Sequence, residues 1–260
     1  MPLKEDKVTP KNLLPSCIKI NFRKGAVLNS VGLSGPGFFD LIGTGKWQRR
    51  TEPFLISFMS VSSTPEGRLS ELRGFVSFLK PKIQEFQAPF GVEMNFSCPN
   101  VGLHSGELSS EVMTALETAA PLQVPLIPNF GPDVSTKIIW DTMLHPSCDA
   151  VSISNTLKWG MMPDRVDWES IWGSKSSPLV QFGGGGMSGS PIFPIVLELV
   201  QEVCKDSIPK PLIAGGGIMN EANAVALIKS GASAIKLGTV AMLRPWRVRG
   251  IVKKVREMML

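Results

Sequence analysis

Short, almost uninterrupted apolar runs recur along the chain at 54–59, 91–96, 125–130, 150–154, 211–214 and 234–237, with helix-like patterns between them. A strand that is apolar on both sides must be covered on both faces, which indicates parallel pairing with crossover helices. The helical stretches fall at 65–86, 109–120, 134–144, 191–204 and 221–230. Their ends carry the expected punctuation. Thr64 followed by Pro65 predicts an N-cap and first-turn proline, and Asn220 and Gly231 bracket a helix with Val225, Leu227 and Ile228 on its apolar face. Such β/α alternation builds either a (β/α)8 barrel or an open doubly wound sheet, and both place ligands at the carboxyl ends of the strands. Asn95, Asn155, Gly215 and Gly238 all follow strand ends. A further strand is expected at 178–182, inside an insertion at 159–190 that would lie over the active-site face. Residues 1–24 read as an irregular leading segment, and residues 1–260 as one domain.

Composition excludes several classes. No run is long and apolar enough for a membrane span, and the polar start with Lys4, Glu5, Asp6 and Lys7 lacks the apolar core of a secretory signal. Cys17, Cys98, Cys148 and Cys204 are far apart, and His104 and His145 stand alone. That spacing argues against a zinc site or a disulfide framework and predicts a reduced, cytoplasmic protein. A net charge of +5 would suit an anionic ligand or nucleic acid. Much of it sits in Arg244, Arg247, Arg249, Lys253, Lys254 and Arg256, beside Val248, Ile251, Val252 and Val255. This reads as the solvated face of an amphipathic terminal helix, and no aromatic interleaving supports nucleic-acid binding.

Two segments carry chemistry. In the first, Ala214-Gly215-Gly216-Gly217-Ile218 leads into a helix, and Leu237-Gly238-Thr239 follows the next strand. Glycines let backbone N–H groups approach a phosphate, and in barrels the loops after the last two strands commonly build a phosphate site. The Gly183-Gly184-Gly185-Gly186 run and Ser188-Gly189 would add donors, although tight-turn glycines without a ligand fit the same pattern. In the second, Asn95-Phe96-Ser97-Cys98-Pro99-Asn100 delivers two amides, a hydroxyl and a thiol to one loop. Amides offer donors and acceptors to a planar imide or carboxylate. A thiol with an ordinary pKa near 8.5 can act as a base where a positive field lowers it. The bland alternative is a buried, inert cysteine beside a turn-forming proline.

These residues resemble the dihydroorotate dehydrogenase family. The motif Asn-x-Ser-Cys-Pro-Asn is intact at 95–100, and other segments match in order. Leu28-Asn29-Ser30-Val31-Gly32-Leu33 is similar to the family's substrate loop, and Ile153-Ser154-Asn155-Thr156 to its Asn-Thr element. Gly185-Gly186-Met187-Ser188-Gly189 and the two glycine turns above resemble its FMN-phosphate loops. The resemblance implies FMN as cofactor and oxidation of dihydroorotate to orotate in pyrimidine biosynthesis. Cys98 would be the base that takes a C5 proton while hydride leaves C6 for the flavin. It implies substrate binding by Asn29, Gly32, Leu33, Asn95, Asn100, Asn155 and Thr156. It implies flavin binding by Asn95, Asn129, Gly186, Ser188, Gly189, Gly216, Gly217, Gly238 and Thr239. No metal site, nucleic acid or membrane is expected, and a homodimer stays open. A cysteine at the base position resembles the soluble class 1 enzymes, which pass electrons to fumarate, or to NAD through an iron–sulfur partner.

Two departures from the family stand out. The opening strand, with its Ala-Ser-Gly flavin contact, has no counterpart, and the strands number six where closure needs eight. An N-terminally incomplete TIM-type (β/α)8 barrel is therefore expected. The family also carries a lysine on its fifth strand, near the pyrimidine ring of the flavin, where this chain has Asn129. Losing that charge would remove about 1–4 kcal/mol of anion stabilisation. Two other readings follow from these departures: a flavin oxidoreductase for another dihydropyrimidine, or a truncated, non-catalytic homologue that binds a phosphate ligand or a partner.

Overall fold

The computed structural model describes residues 15–33, 35–96 and 105–259. The chain opens with an antiparallel hairpin, β1 (Ile18–Asn21) and β2 (Ala26–Asn29), closed by a turn in which Gly25 has φ +60°. The expectation of an irregular leading segment through residue 24 is thus corrected: β1 pairs along its length with β2 and brings Ile18 and Ile20 against the main core. After α1 (Phe38–Gly43), the β/α succession begins with β3 (Phe54–Phe58), α2 (Pro65–Leu79), β4 (Phe90–Asn95) and α3 (Ser105–Ala119). It continues with β5 (Leu126–Phe130), α4 (Thr136–Leu144) and β6 (Val151–Ile153). A connecting region holds β7 (Leu157–Lys158), α5 (Trp168–Trp172) and β8 (Gly186–Gly189). The last part contains α6 (Phe193–Val203), β9 (Leu212–Gly215), α7 (Glu221–Lys229), β10 (Ala234–Lys236), α8 (Thr239–Leu243) and α9 (Val248–Met259).

Six strands form one parallel sheet in the order β10-β9-β6-β5-β4-β3. Within the described residues β3 pairs only with β4 and β10 only with β9, so the sheet is an open part of a barrel. The hairpin does not cap either edge. Instead β2 pairs antiparallel with β8, and β8 with β7, in a second sheet ordered β1-β2-β8-β7. The strand expected at 178–182 is a 3-10 turn at Val180–Phe182, because Gly183, Gly184 and Gly185 all take positive φ and turn the chain before it can extend. Trp159 and Trp168 pack on each other at 4.8 Å in a small second core with Leu28, Leu157, Leu179 and Met187.

Strand register sorts the side chains of the parallel sheet. Ile56, Val92, Met94, Phe130, Ile153 and Ala214 point outward and are buried under α2, α3, α4 and α6. Each large member of this set stabilises the fold by roughly 1.5–3 kcal/mol through burial. The cap residues act as their sequence indicates: the Thr64 hydroxyl accepts from Gly67 N–H at 3.1 Å, and Asn220 Oδ1 accepts from Asn223 N–H at 2.9 Å. Between α2 and α3, the Arg68 guanidinium donates to both oxygens of Glu111 at 2.6 Å, and its side chain is 8% exposed. No described helix is long and apolar enough to cross a membrane.

Candidate active site

The inward face of the parallel sheet is the unusual one. Its residues include Ser57 on β3, Glu93 and Asn95 on β4, Asn129 on β5, Ser152 on β6 with Ser154 just beyond it, and Lys236 on β10. Period-two alternation puts all of them on one side. They form a chain of hydrogen bonds. Asn95 Nδ2 donates to Ser57 Oγ at 2.6 Å, and Asn129 Nδ2 donates to Asn95 Oδ1 at 2.6 Å. Ser154 Oγ donates to Asn129 Oδ1 at 2.8 Å. Lys236 Nζ donates to Ser152 Oγ at 2.9 Å and lies 3.5 Å from Ser154 Oγ, and it forms an ion pair with Glu93. Burial pushes the Lys236 ammonium down to about 8. The adjacent Glu93 carboxylate works in the opposite sense, favouring the charged form.

A second group surrounds Asn29 at the end of β2. Its Nδ2 reaches the Gly186 carbonyl at 3.4 Å, and neighbouring Ser30 Oγ donates to the Phe182 carbonyl at 2.5 Å. A side chain at Gly186 would meet Thr156 Oγ1 at 2.2 Å, and one at Gly185 would meet the Asn29 carbonyl at 2.8 Å. The glycines are therefore required for β8 to pass between Asn29 and Thr156. Asn155 Oδ1 accepts from Thr156 N–H at 2.8 Å. Gly32 and Leu33 continue the segment past Asn29, with Leu33 42% exposed.

The third group is the glycine rim. Gly216 and Gly217 have φ +102° and +77°, and a side chain at Gly217 would collide with Phe193 and with the Gly189 carbonyl at 2.8 Å. The β9 loop is thus pressed against the end of β8. Thr239 Oγ1 bonds to Ser188 Oγ at 2.8 Å, which ties the β10 turn to the same strand. A Cβ at Gly238 would meet nothing within 4 Å, leaving that turn open to a ligand. Two hydroxyls and backbone N–H groups on three converging loops are the donor set that a phosphate dianion needs. The residues present fit an FMN phosphate. Asn95 and Asn129 supply amides on the neighbouring inward face.

Several of the residues singled out from sequence lie near one another. Asn29, Thr156 and Gly186 come together, as do Asn95 with Asn129, and Ser188, Gly189, Gly216, Gly217, Gly238 and Thr239. Cys98 and Asn100 lie outside the described residues. Among the described cysteines, burial pushes the Cys148 thiol up to about 12, Cys204 is also raised by burial, and Cys17 is buried. Ser57, Ser152, Ser154, Glu93 and the inward aim of Lys236 are not among the residues picked out from sequence. The signal available was polar residues in matching phase within otherwise apolar strands. No cluster of metal-ligating side chains occurs among the described residues. A 520 Å³ cavity lined by Phe58, Arg68, Leu72 and Leu108 lies between α2 and α3, largely on the helix side of the sheet.

Comparison with known proteins bears on this site. A family model described as dihydroorotate dehydrogenase matches residues 10–259. The catalytic subunit of dihydroorotate dehydrogenase B (NAD(+)) from Pelobacter propionicus is 30% identical over 248 residues, covering 92% of this chain and 73% of that one. The protein of the same name from Geotalea daltonii is 28% identical over 240 residues, covering 90% and 72%. Among solved structures, a ligand-free DHODH from Eimeria tenella superposes with a TM-score of 0.65 at 19% identity, covering 96% of this chain and 74% of that one. The architecture is accordingly that of a TIM-type α/β barrel, incomplete in its described strands.

Proposed function

Because the chain belongs to the dihydroorotate dehydrogenase family of oxidoreductases, we propose that it oxidises dihydroorotate to orotate with FMN as cofactor and Cys98 as base. The observation that carries this reading is the convergence at one end of the parallel sheet. The glycine rim is tied to β8 through Thr239 and Ser188, the Asn29 group meets β8 at Gly186, and the amides of Asn95 and Asn129 lie on the inward face, with Cys98 three residues after Asn95 in the sequence.

Ser188, Gly189, Gly216, Gly217, Gly238 and Thr239 would hold the FMN phosphate, and Gly186, Asn95 and Asn129 the rest of the cofactor. When bound, FMN supplies a hydride acceptor for C6 of the substrate. The remaining work falls to the chain. Asn29, Asn95, Asn100, Asn155 and Thr156 orient the pyrimidine ring, with backbone help from Gly32 and Leu33. Asn95 is fixed from both sides, by Ser57 and by Asn129, so its amide reaches the substrate with its orientation already set. Cys98 receives the C5 proton at its sulfur. A thiol near pKa 8.5 is close enough to neutrality to serve as a base at modest cost. Several relatives are named as catalytic subunits of NAD(+)-dependent enzymes. That supports NAD as the final oxidant, reached through a partner chain.

Turnover assays with an artificial electron acceptor test the reading. Dihydroorotate should be oxidised in preference to dihydrouracil. Cys98→Ser should lower kcat/KM by about 10²–10⁴-fold without changing flavin content. A preference for dihydrouracil would move the protein to another dihydropyrimidine. Full flavin occupancy with neither substrate turned over would make it a non-catalytic homologue.

A further inference from the structure

Lys236 is the one cation on the inward face of the parallel sheet among the described residues. It is the last residue of β10, immediately ahead of the Leu237-Gly238-Thr239 turn that belongs to the glycine rim. Lysines usually extend toward water, and this side chain is 28% exposed. Three acceptors hold it there: the Glu93 carboxylate, Ser152 Oγ and, more distantly, Ser154 Oγ. Glu93 is the deeper partner at 12% exposed, so the accessible member of the pair is the cation. The ammonium is also connected sideways. Ser154 hands its own hydrogen bond to Asn129, and Asn129 hands one to Asn95. On β5, the residue facing this space is the neutral Asn129.

A buried ion pair kept only for stability would be a poor choice, since matched apolar residues usually serve the fold as well or better. A charge held at the mouth of a cofactor site has another use. A flavin ring gains negative charge on reduction, and a fixed cation in a partly dehydrated site stabilises that charge without reorganising. We propose that Lys236, seated by Glu93 and coupled through Ser154 to Asn129, supplies the positive charge that favours the reduced flavin, with β10 carrying the role that a residue on β5 would otherwise fill. This assignment rests on the FMN reading above.

The test is the midpoint potential of bound FMN in wild type, Lys236→Gln, Lys236→Arg and the double variant Asn129→Lys/Lys236→Gln, with FMN affinity measured beside it. Lys236→Gln should lower the reduced-to-oxidised ratio at a given potential at least tenfold, about 30 mV for a two-electron couple. Lys236→Arg should hold the wild-type potential, and the double variant should recover it. Flavin-loaded Lys236→Gln at the wild-type potential would overturn the assignment alone. Should that variant not fold, the double variant decides: a potential tenfold or more below wild type would overturn the proposal, and recovery would support it. Wild-type protein that takes up no FMN would defeat the parent reading, and this one with it.

Discussion

The two faces of the parallel sheet are built from the same strands and have little else in common. Outward, Ile56, Val92, Met94, Phe130 and Ile153 lock into the helices, each at 2% exposure or less. Inward, Ser57, Asn95, Asn129, Ser154, Ser152 and Lys236 hold one another by hydrogen bonds. Apolar packing gains from every methylene removed from water and tolerates compensating changes of shape. A hydrogen-bonded chain gains little net stability, yet loses much when one member is removed. One face therefore holds the fold, and the other holds groups in fixed orientation around a ligand.

The largest separation of the faces should come from Phe130→Ala. It deletes a side chain 1% exposed and should cost about 3–5 kcal/mol in urea unfolding, with kcat/KM of the folded fraction nearly unchanged. Collapse of activity at full stability would break the division. Next in size, Asn95→Ala removes the amide bridging Ser57 and Asn129. It should lower kcat/KM ten- to a hundredfold, corresponding to roughly 1–3 kcal/mol, while shifting the unfolding midpoint less than Phe130→Ala does.

A subtler difference should appear with pH. Lys236 titrates at about 8 in the folded chain against an ordinary 10.5, because burial penalises its charge. Between those values the unfolded chain binds more protons, so stability should rise with pH. That contribution is complete above 10.5 and lost as pH falls through about 8. Comparing urea midpoints near pH 7 and near pH 10, wild type should gain stability relative to Lys236→Gln. Parallel curves would show that Glu93 holds the ammonium charged throughout.

The outward face was the legible one. Six apolar runs and their caps predict the parallel strands to within a residue or two at each end, because burial on both sides leaves a strong compositional mark. The glycine rim and the Asn29 group were legible from their motifs. The second sheet was not. β7 and β8 are short, and Gly186-Met187-Ser188-Gly189 has no β-branched residue, so its pairing with β2 depends on contacts distant in sequence. The Lys236–Glu93 pair was hidden for a related reason. Residues far apart on β4 and β10 meet only when the intervening strands set the curvature of the sheet.

The measurement that bears most directly on the central claim is an absorption spectrum of the purified chain with FMN, before and after anaerobic dihydroorotate. A bound-flavin band that bleaches on adding substrate is the predicted result, establishing cofactor, substrate and a working reductive half-reaction together. A bound flavin that stays oxidised, or a folded protein that binds none, would contradict it.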